Sequence, residues 1–475
     1  MRQWRVTDYL NKETWDAAVL VLKPFPLYKE AGWKDWSADA PMPFLLCCVL
    51  FTFAVYFWEM YLNARQLEKF RDEEGQAECP KGVSLEVFTK SLRYGADKLS
   101  FEMYEETFSL VWNLIVLLGG GLPWAWETAG RLGHAAHILG PTDSALFTEC
   151  VQTCFFVLLF SLHDLLVSFP FSTYRTFVIE AKHGFNKQTF GLFVKDKCIG
   201  LLLTLVIGSP VLSGIVWLAR SCGESYPLYV FAFMFVVSVV MMAVYPSLIA
   251  PLFNTYTELE EGKLRTAIYK LAASVSFPLK KLYTMDGSKR SSHSNAFFYG
   301  MGQSKMIVLF DTLLTQVSQE ELLAILGHEI GHWRLWHTVQ GFAISQLYTF
   351  CLFFSFSYMQ SSAPLFSAFG FAFNGTDAAT PVFVGLVLFM HTYWSPVEKA
   401  LSFVLNVNSR HNEFAADEYS RSLGYGKDLS SGLVKISTEN LGNMVPDALY
   451  SAYHFSHPPV VERCAAIADA DKKRK

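Results

Sequence analysis

Charge is scarce in this sequence: Asp, Glu, Lys and Arg make up only 17% of its 475 residues, where an ordinary soluble domain carries about 25%. Neither sign is in large excess. The formal net charge is −4, so the chain lacks the basic field that draws proteins to nucleic acid, and no nucleic-acid partner is expected. The nine cysteines form no CxxC pair and several lie in or beside apolar segments (Cys47, Cys48, Cys150, Cys154, Cys198, Cys351). That excludes a thiolate zinc ribbon and a secreted disulfide framework, and they read as small buried apolar residues. No cleavable signal peptide is expected either. The first long apolar run begins near Pro43 and is expected to serve as an uncleaved anchor. No internal repeat is visible.

What the chain has is apolar bulk. Hydrophobic residues reach 52%, aromatics 16%, with 41 Phe and 12 Trp, and mean hydropathy is +0.24. Soluble cores cannot absorb that many aromatics, whereas helices facing lipid can. Crossing a bilayer core takes about 20 apolar helical residues. Seven segments qualify: 43–62, 108–126, 149–169, 198–219, 226–248, 341–358 and 381–404. The second contains Gly119-Gly120-Gly121 and Pro123, the third ends in His163-Asp164, and the seventh holds Glu398-Lys399. Charges inside spans are costly in lipid and are expected to face a protein or water interior. An eighth stretch, 364–373, is too short to cross.

The basic residues orient these spans. With seven crossings, the two short loops 63–107 and 171–197 carry 12 Lys plus Arg, against 2 in the short segments 127–148, 220–225 and 359–380. By the positive-inside rule the first set is cytosolic, which places the N-terminal segment 1–42 in the lumen. The chain then divides into 1–42, a membrane part 43–248, a first polar unit 249–340, two further spans within 341–404, and a second polar unit 405–475. In the first unit, 259–275 has helical periodicity, and 281–284 and Lys305–Phe310 read as strands. The second reads as helices broken at Gly424, Gly442 and the His457-Pro458-Pro459 turn. The fold class is therefore an all-α integral membrane protein with a mainly helical, cytosol-facing unit holding a small β-sheet.

Residues 328–332 read His-Glu-Ile-Gly-His. Four residues on a helix turn about 400°, so His328 and His332 share a face and can reach one zinc ion. Glu329 points to the neighbouring face, where it can act as a general base. The spacing that would supply a third histidine fails, because Leu335 and Thr338 stand where that class needs Gly and His. A later glutamate is required instead, and Glu413 supplies it, with Asp417 one turn on able to accept the second N–H of a ligating histidine. Two spans separate His332 from Glu413, so they return to one side of the membrane. His337 and His411 read as surface or interfacial groups. His163, Asp164 and His391 read as satisfied polar residues in the bundle, and Ser291, Ser292 and His293 as loop. The terminal 472–475 run is either a retrieval signal or a solvated tail.

Around these residues the chain resembles the zinc CAAX prenyl protease family of integral-membrane metalloproteases. The resemblance rests on FVIEAKHGFN at 177–186, EGKL at 261–264, GSKRSSHSNA at 287–296, IVLFDTLL at 307–314, LGHEIGHW at 326–333, EFAAD at 413–417 and SHPP at 456–459. It implies a seven-helix barrel around a chamber, capped by the zinc unit, in the endoplasmic reticulum and inner nuclear membranes. It implies one zinc ion per chain on His328, His332 and Glu413, with Glu329 as base and Asp417 as the residue often described as proton donor. Asn295, His457 and Arg463 fall where relatives line the cleft. The substrates implied are farnesylated or geranylgeranylated proteins ending in C-a-a-X, which lose their last three residues, with a second upstream cut in a prenylated precursor. A monomer in the lipid bilayer is expected. Lys305–Phe310 and Asn295 are expected to pair with an extended substrate by strand addition. Two rival readings are a membrane quality-control protease with little need of a prenyl group, and a seven-span transporter or receptor with an accidental HExxH.

Overall fold

The computed structural model describes residues 44–72, 79–80, 82–140, 143–300, 302–371 and 380–473. The segment 1–42, the end of the 364–373 stretch and the last two residues of the basic tail lie outside the described residues.

The described chain is mostly helical. Five helices are long and apolar enough to cross a membrane: Phe44–Arg71, Ala145–Glu180, Phe190–Ser221, Gly223–Phe253 and His337–Ser357. Their packing is the inverse of a soluble protein's. In the most apolar of them, Gly223–Phe253, only 6% of the hydrophobic window is buried, and Val236, Val240 and Leu248 stand exposed. Water would penalise that surface at about 25 cal/mol per Å², whereas lipid does not.

The expected second span, 108–126, straddles a break. Leu85–Leu118 and Gly121–Ala135 meet at a bend of 66°, and only as a bent pair do they make a sixth crossing. Gly120 sits in the left-handed region at φ +71°, which a side chain would disfavour. The expected seventh, 381–404, is not among the apolar helices. Val382–Phe389 runs through a π-helical turn, Met390–Trp394, into the polar helix Ser395–Ser420, whose charges dilute the hydropathy. Of the two charges at 398–399, Lys399 is paired. Lys399 Nζ lies 2.8 Å from Glu59 of the first helix, and Tyr453 donates to the same carboxylate at 3.1 Å. Deeper in the bundle, Trp112 Nε1–H donates to His163 at 2.8 Å. The nine cysteines are free thiols, but only Cys48 is buried; Cys47 and Cys198 are exposed and the other six are half-buried, because the membrane helices show much of their apolar surface outward.

The polar unit is built on a four-stranded sheet of order β1-β2-β4-β3, comprising β1 (Tyr256–Glu258), β2 (Leu279–Met285), β3 (Ala296–Tyr299) and β4 (Lys305–Phe310). β2 runs parallel to β4, while β1 and β3 are antiparallel to their neighbours. Ile307 and Leu309 of β4 pack with Leu271 of helix Lys263–Ser274 and with Leu322, Leu326 and Ile330 of helix Gln319–Arg334. That core fixes the HExxH helix against the sheet. β4 is bonded on both sides, so it has no edge to offer, and β3 is an edge strand instead. The expected strand addition on Lys305–Phe310 is thereby excluded: its N–H and C=O groups are already spent on β2 and β3.

Candidate metal centre

Two helices make the site. The HExxH helix, Gln319–Arg334, starts at a capping box in which Ser318 accepts from Glu321 N and the Glu321 carboxylate accepts from Ser318 N. Two orphan amides are satisfied there, and Glu320 and Glu321 suit the positive end of the helix. Glu321 is buried. Burial alone would push its carboxyl up, but hydrogen bonds from Lys435, Ser431 and the Ser318 amide hold it at about 2.

The Glu413 helix, Ser395–Ser420, crosses the HExxH helix at glycine. A Cβ at Gly331 would stand 3.2 Å from the backbone of Ala416, and one at Gly327 would stand 3.0 Å from Ser420 Oγ. Ser420 Oγ donates to Ala324 O at 2.7 Å across this contact. The missing side chains let the backbones approach, and that approach brings Glu413 and Asp417, one turn apart, against the two histidines.

The three expected ligands converge. One donor atom from each of His328, His332 and Glu413 lies within 4.8 Å of the others. Nε2 of His328 and Nε2 of His332 are 3.1 Å apart. Glu413 Oε2 is 3.5 Å from the first and Oε1 3.3 Å from the second. On their far sides, His328 Nδ1 meets Asp417 Oδ1 at 2.9 Å and His332 Nδ1 meets His337 Nδ1 at 3.0 Å. When each Nδ1 carries its ring proton, two Nε2 lone pairs and a carboxylate face one point, an arrangement that repels itself unless a cation stands between them. Glu413 Oε2 makes no hydrogen bond of regular geometry. Two nitrogens and one oxygen are a donor set suited to zinc. The residues fit the ion.

A cationic rim surrounds the carboxylates. Arg463, buried, grips Asp417 through Nε at 2.8 Å and Nη2 at 2.6 Å, and its Nη1 lies 3.2 Å from Glu413 Oε2. His457 is exposed, with Nδ1 3.0 Å from Glu413 Oε2. Burial alone would raise the Glu413 carboxyl, yet His332, His457, His328 and Arg463 hold it well below the carboxylate range. Asp417 is held low in the same way, by Arg463 and His328 against burial. The neighbouring Glu413 carboxylate raises the His457 imidazole. Glu329 differs. Burial pushes its carboxyl up, against the pull of His328 and His332.

Asn295 stands exposed at the start of β3, its carbonyl accepting from Phe310 N at 3.1 Å. No hydrogen bond joins it to the ligand cluster among the described residues. His411 is exposed as expected, but His337 is not a bystander. The helix breaks at Trp336, in the left-handed region at φ +62°, and restarts so that His337 turns back onto His332. Helical spacing alone cannot foresee that return.

A membrane-embedded helical bundle joined to an HExxH helix and a later Glu-bearing helix defines a membrane metalloprotease. The comparisons agree with that class. Residues 66–255 match the CAAX prenyl protease N-terminal family, described as five membrane helices, and residues 258–471 match Peptidase family M48. The rice (Oryza sativa) protein named CAAX prenyl protease 1 homolog is 42% identical over 91% of this chain and 99% of its own length. The human protein of that name is 38% identical, over 91% and 97%. The crystal structure of S. mikatae Ste24p aligns with a TM-score of 0.82 at 36% identity, covering 90% of this chain and 99% of that one. The chain belongs to the CAAX prenyl protease 1 family of M48 metallopeptidases.

Proposed function

We propose that the chain is a zinc endopeptidase that removes the last three residues from farnesylated or geranylgeranylated proteins ending in C-a-a-X, and that it makes a second, upstream cut in a prenylated precursor. The convergence of His328, His332 and Glu413, in a chain similar to proteins named CAAX prenyl protease 1, carries this reading.

His328, His332 and Glu413 would hold one zinc ion. Zinc, when bound, supplies Lewis acidity toward a carbonyl and lowers the pKa of water. Glu329 takes the proton from the attacking water, and its burial-raised pKa suits a group that must also give that proton up to the leaving amine. Asp417 orients His328 as an acceptor. Its carboxyl, held low by Arg463 and His328, retains no proton to donate at neutral pH. Arg463 has three nitrogens turned to Asp417 and Glu413, which leaves the exposed His457 as donor to the oxyanion. The substrate chain pairs with the edge strand β3, beside Asn295, and not with β4. The prenyl chain gains about 0.8 kcal/mol per CH₂ buried in apolar surroundings, which favours a chamber within the membrane part.

We place this monomer in the endoplasmic reticulum and inner nuclear membranes with seven spans, the 249–340 and 405–475 units joining on the cytosolic side and 43–248 and 341–404 forming the barrel. The basic residues of the short loops support that orientation, and the bent pair together with 381–404 would complete the count.

The test is cleavage of a farnesylated C-a-a-X peptide by purified enzyme, read by mass spectrometry, beside its unprenylated twin. Loss of three residues, abolished by chelator and restored by zinc, is expected. Equal cleavage of the unprenylated twin would replace the reading with that of a general membrane protease.

A further inference from the structure

The Glu413 helix carries more than a metal ligand. One turn before Glu413, Arg410 Nη1 donates to three carbonyls: Ser451 O at 3.0 Å, Ala452 O at 2.9 Å and Phe455 O at 3.0 Å. Another turn back, Asn406 Nδ2 donates to Tyr453 O at 2.9 Å. These carbonyls belong to the end of the short helix Ala448–His454 and the residue that follows it. The last carbonyls of a helix have no partner within it, and a basic side chain is one of the groups that satisfy them.

Two residues beyond Phe455 comes His457. Its ring meets Glu413 Oε2 at 3.0 Å, and the chain then turns through buried Pro458 and Pro459 into helix Val460–Lys473, where Arg463 N–H donates to Pro459 O at 3.1 Å. The downstream side of the turn is thus fixed by prolines and Arg463. The upstream side is tied to the Glu413 helix by Arg410 and Asn406, with Arg410 the one that reaches Phe455, next to the turn. His457 itself is exposed, so packing does not hold it. One rigid helix carries both the metal ligand and the clamp that sets where the histidine stands relative to it.

We infer that Arg410 is a positioning residue for catalysis: by gathering the Ser451, Ala452 and Phe455 carbonyls onto the Glu413 helix, it fixes the His457 turn at the distance the oxyanion requires. This rests on the role given above to His457. The hydrogen bonds of Arg410 go to these carbonyls, and its contribution passes through one side chain.

A double-mutant cycle on the full-length enzyme tests it, with the farnesylated C-a-a-X peptide as probe. His457→Ala is expected to lower kcat about 10²- to 10³-fold through loss of an oxyanion donor. Arg410→Ala should lower kcat about 10- to 100-fold through misplacement, with KM and bound zinc unchanged. Arg410→Lys should recover part of that loss. In the His457→Ala background, Arg410→Ala should cost nothing further, because the side chain it positions is gone. A loss from Arg410→Ala that persists undiminished in that background overturns the inference alone, as does a wild-type kcat for Arg410→Ala. Full kcat in His457→Ala overturns the role of His457 and the inference with it. Should Arg410→Ala fail to fold, the same cycle is run with Arg410→Gln, which keeps a donor at the carbonyls, and decides by the same criterion.

Discussion

His328 Nδ1 lies 2.9 Å from Oδ1 of Asp417, and Arg463 holds the same carboxylate with two nitrogens. A neutral imidazole has one N–H, and giving it to Asp417 leaves the lone pair on Nε2, facing His332 and Glu413. Asp417 therefore sets both the tautomer and the aim of the His328 ring, one of the three groups suited to hold the metal.

That relationship predicts how Asp417→Asn fails. The amide keeps the volume but loses the charge that orients His328, so zinc affinity should fall about 10- to 100-fold. Competition with a chelator of known affinity measures this. Asp417→Ala should cost stability as well, because buried Arg463 loses both hydrogen bonds to that carboxylate and keeps only the Glu413 carboxylate as a counter-charge. Unchanged zinc affinity in Asp417→Asn would remove the orienting role.

Glu329→Gln separates metal binding from proton transfer. Glu329 is not among the converging ligands, so zinc content by elemental analysis should match wild type. Turnover of the farnesylated peptide should drop about 10²- to 10⁴-fold, the usual worth of a general base. Substantial cleavage by this variant would assign the base elsewhere.

The sequence shows most of this site, for a physical reason. His328 and His332 share a face because helical spacing demands it, and Glu413 with Asp417 follows the same rule, so each pair is visible in one stretch of chain. Their meeting was inferable only from an even number of intervening spans. Contacts that depend on where two distant segments cross were not legible: the Gly327 and Gly331 approach, the return of His337, and the Arg410 clamp. Strands fared similarly. Lys305–Phe310, apolar from Met306 on, reads as a strand, but its neighbours on either side, which exclude it as a docking edge, are set by sheet order. The glycines at 119–121 stand inside the expected second span, but the 66° bend there was not foreseen.

Glu321 predicts a pH dependence of stability. Its folded pKa is about 2, below the unfolded value of about 4.3. A depressed carboxyl contributes stability that is fully present above its unfolded pKa and is lost as pH falls toward its folded pKa. Allowing for solvent screening of the half-exposed Lys435 ammonium, the contribution is about 2 kcal/mol. Glu321→Gln should therefore lower Tm of the metal-free protein at pH 7, and the gap from wild type should narrow between about pH 4.5 and 2.5. A gap that stays constant across that range would mean that the loss does not come from the charge of Glu321.

Gly331→Ala sets two effects against each other. Alanine in a helix interior is worth about 1 kcal/mol over glycine, and on propensity alone the change should stabilise. At this position the new methyl carbon would stand 3.2 Å from Ala416 Cα and O and from Tyr419 Cβ, closer than the 3.5–4.0 Å optimum for carbon pairs. The atoms it meets are largely backbone, which cannot swing aside, so the Glu413 helix must move outward by a few tenths of an ångström. Such a shift withdraws Glu413 from the two histidines while leaving the apolar cores untouched. We expect Tm of the metal-free protein to change by less than a few degrees, with both zinc affinity and kcat reduced. Gly327→Ala, whose methyl would press on Ser420 Oγ at 3.0 Å, should be milder toward zinc, since a hydroxyl can rotate and the contact lies a turn further from Glu413. Wild-type zinc affinity in Gly331→Ala would mean that the ligand spacing does not depend on the close approach of the two helices.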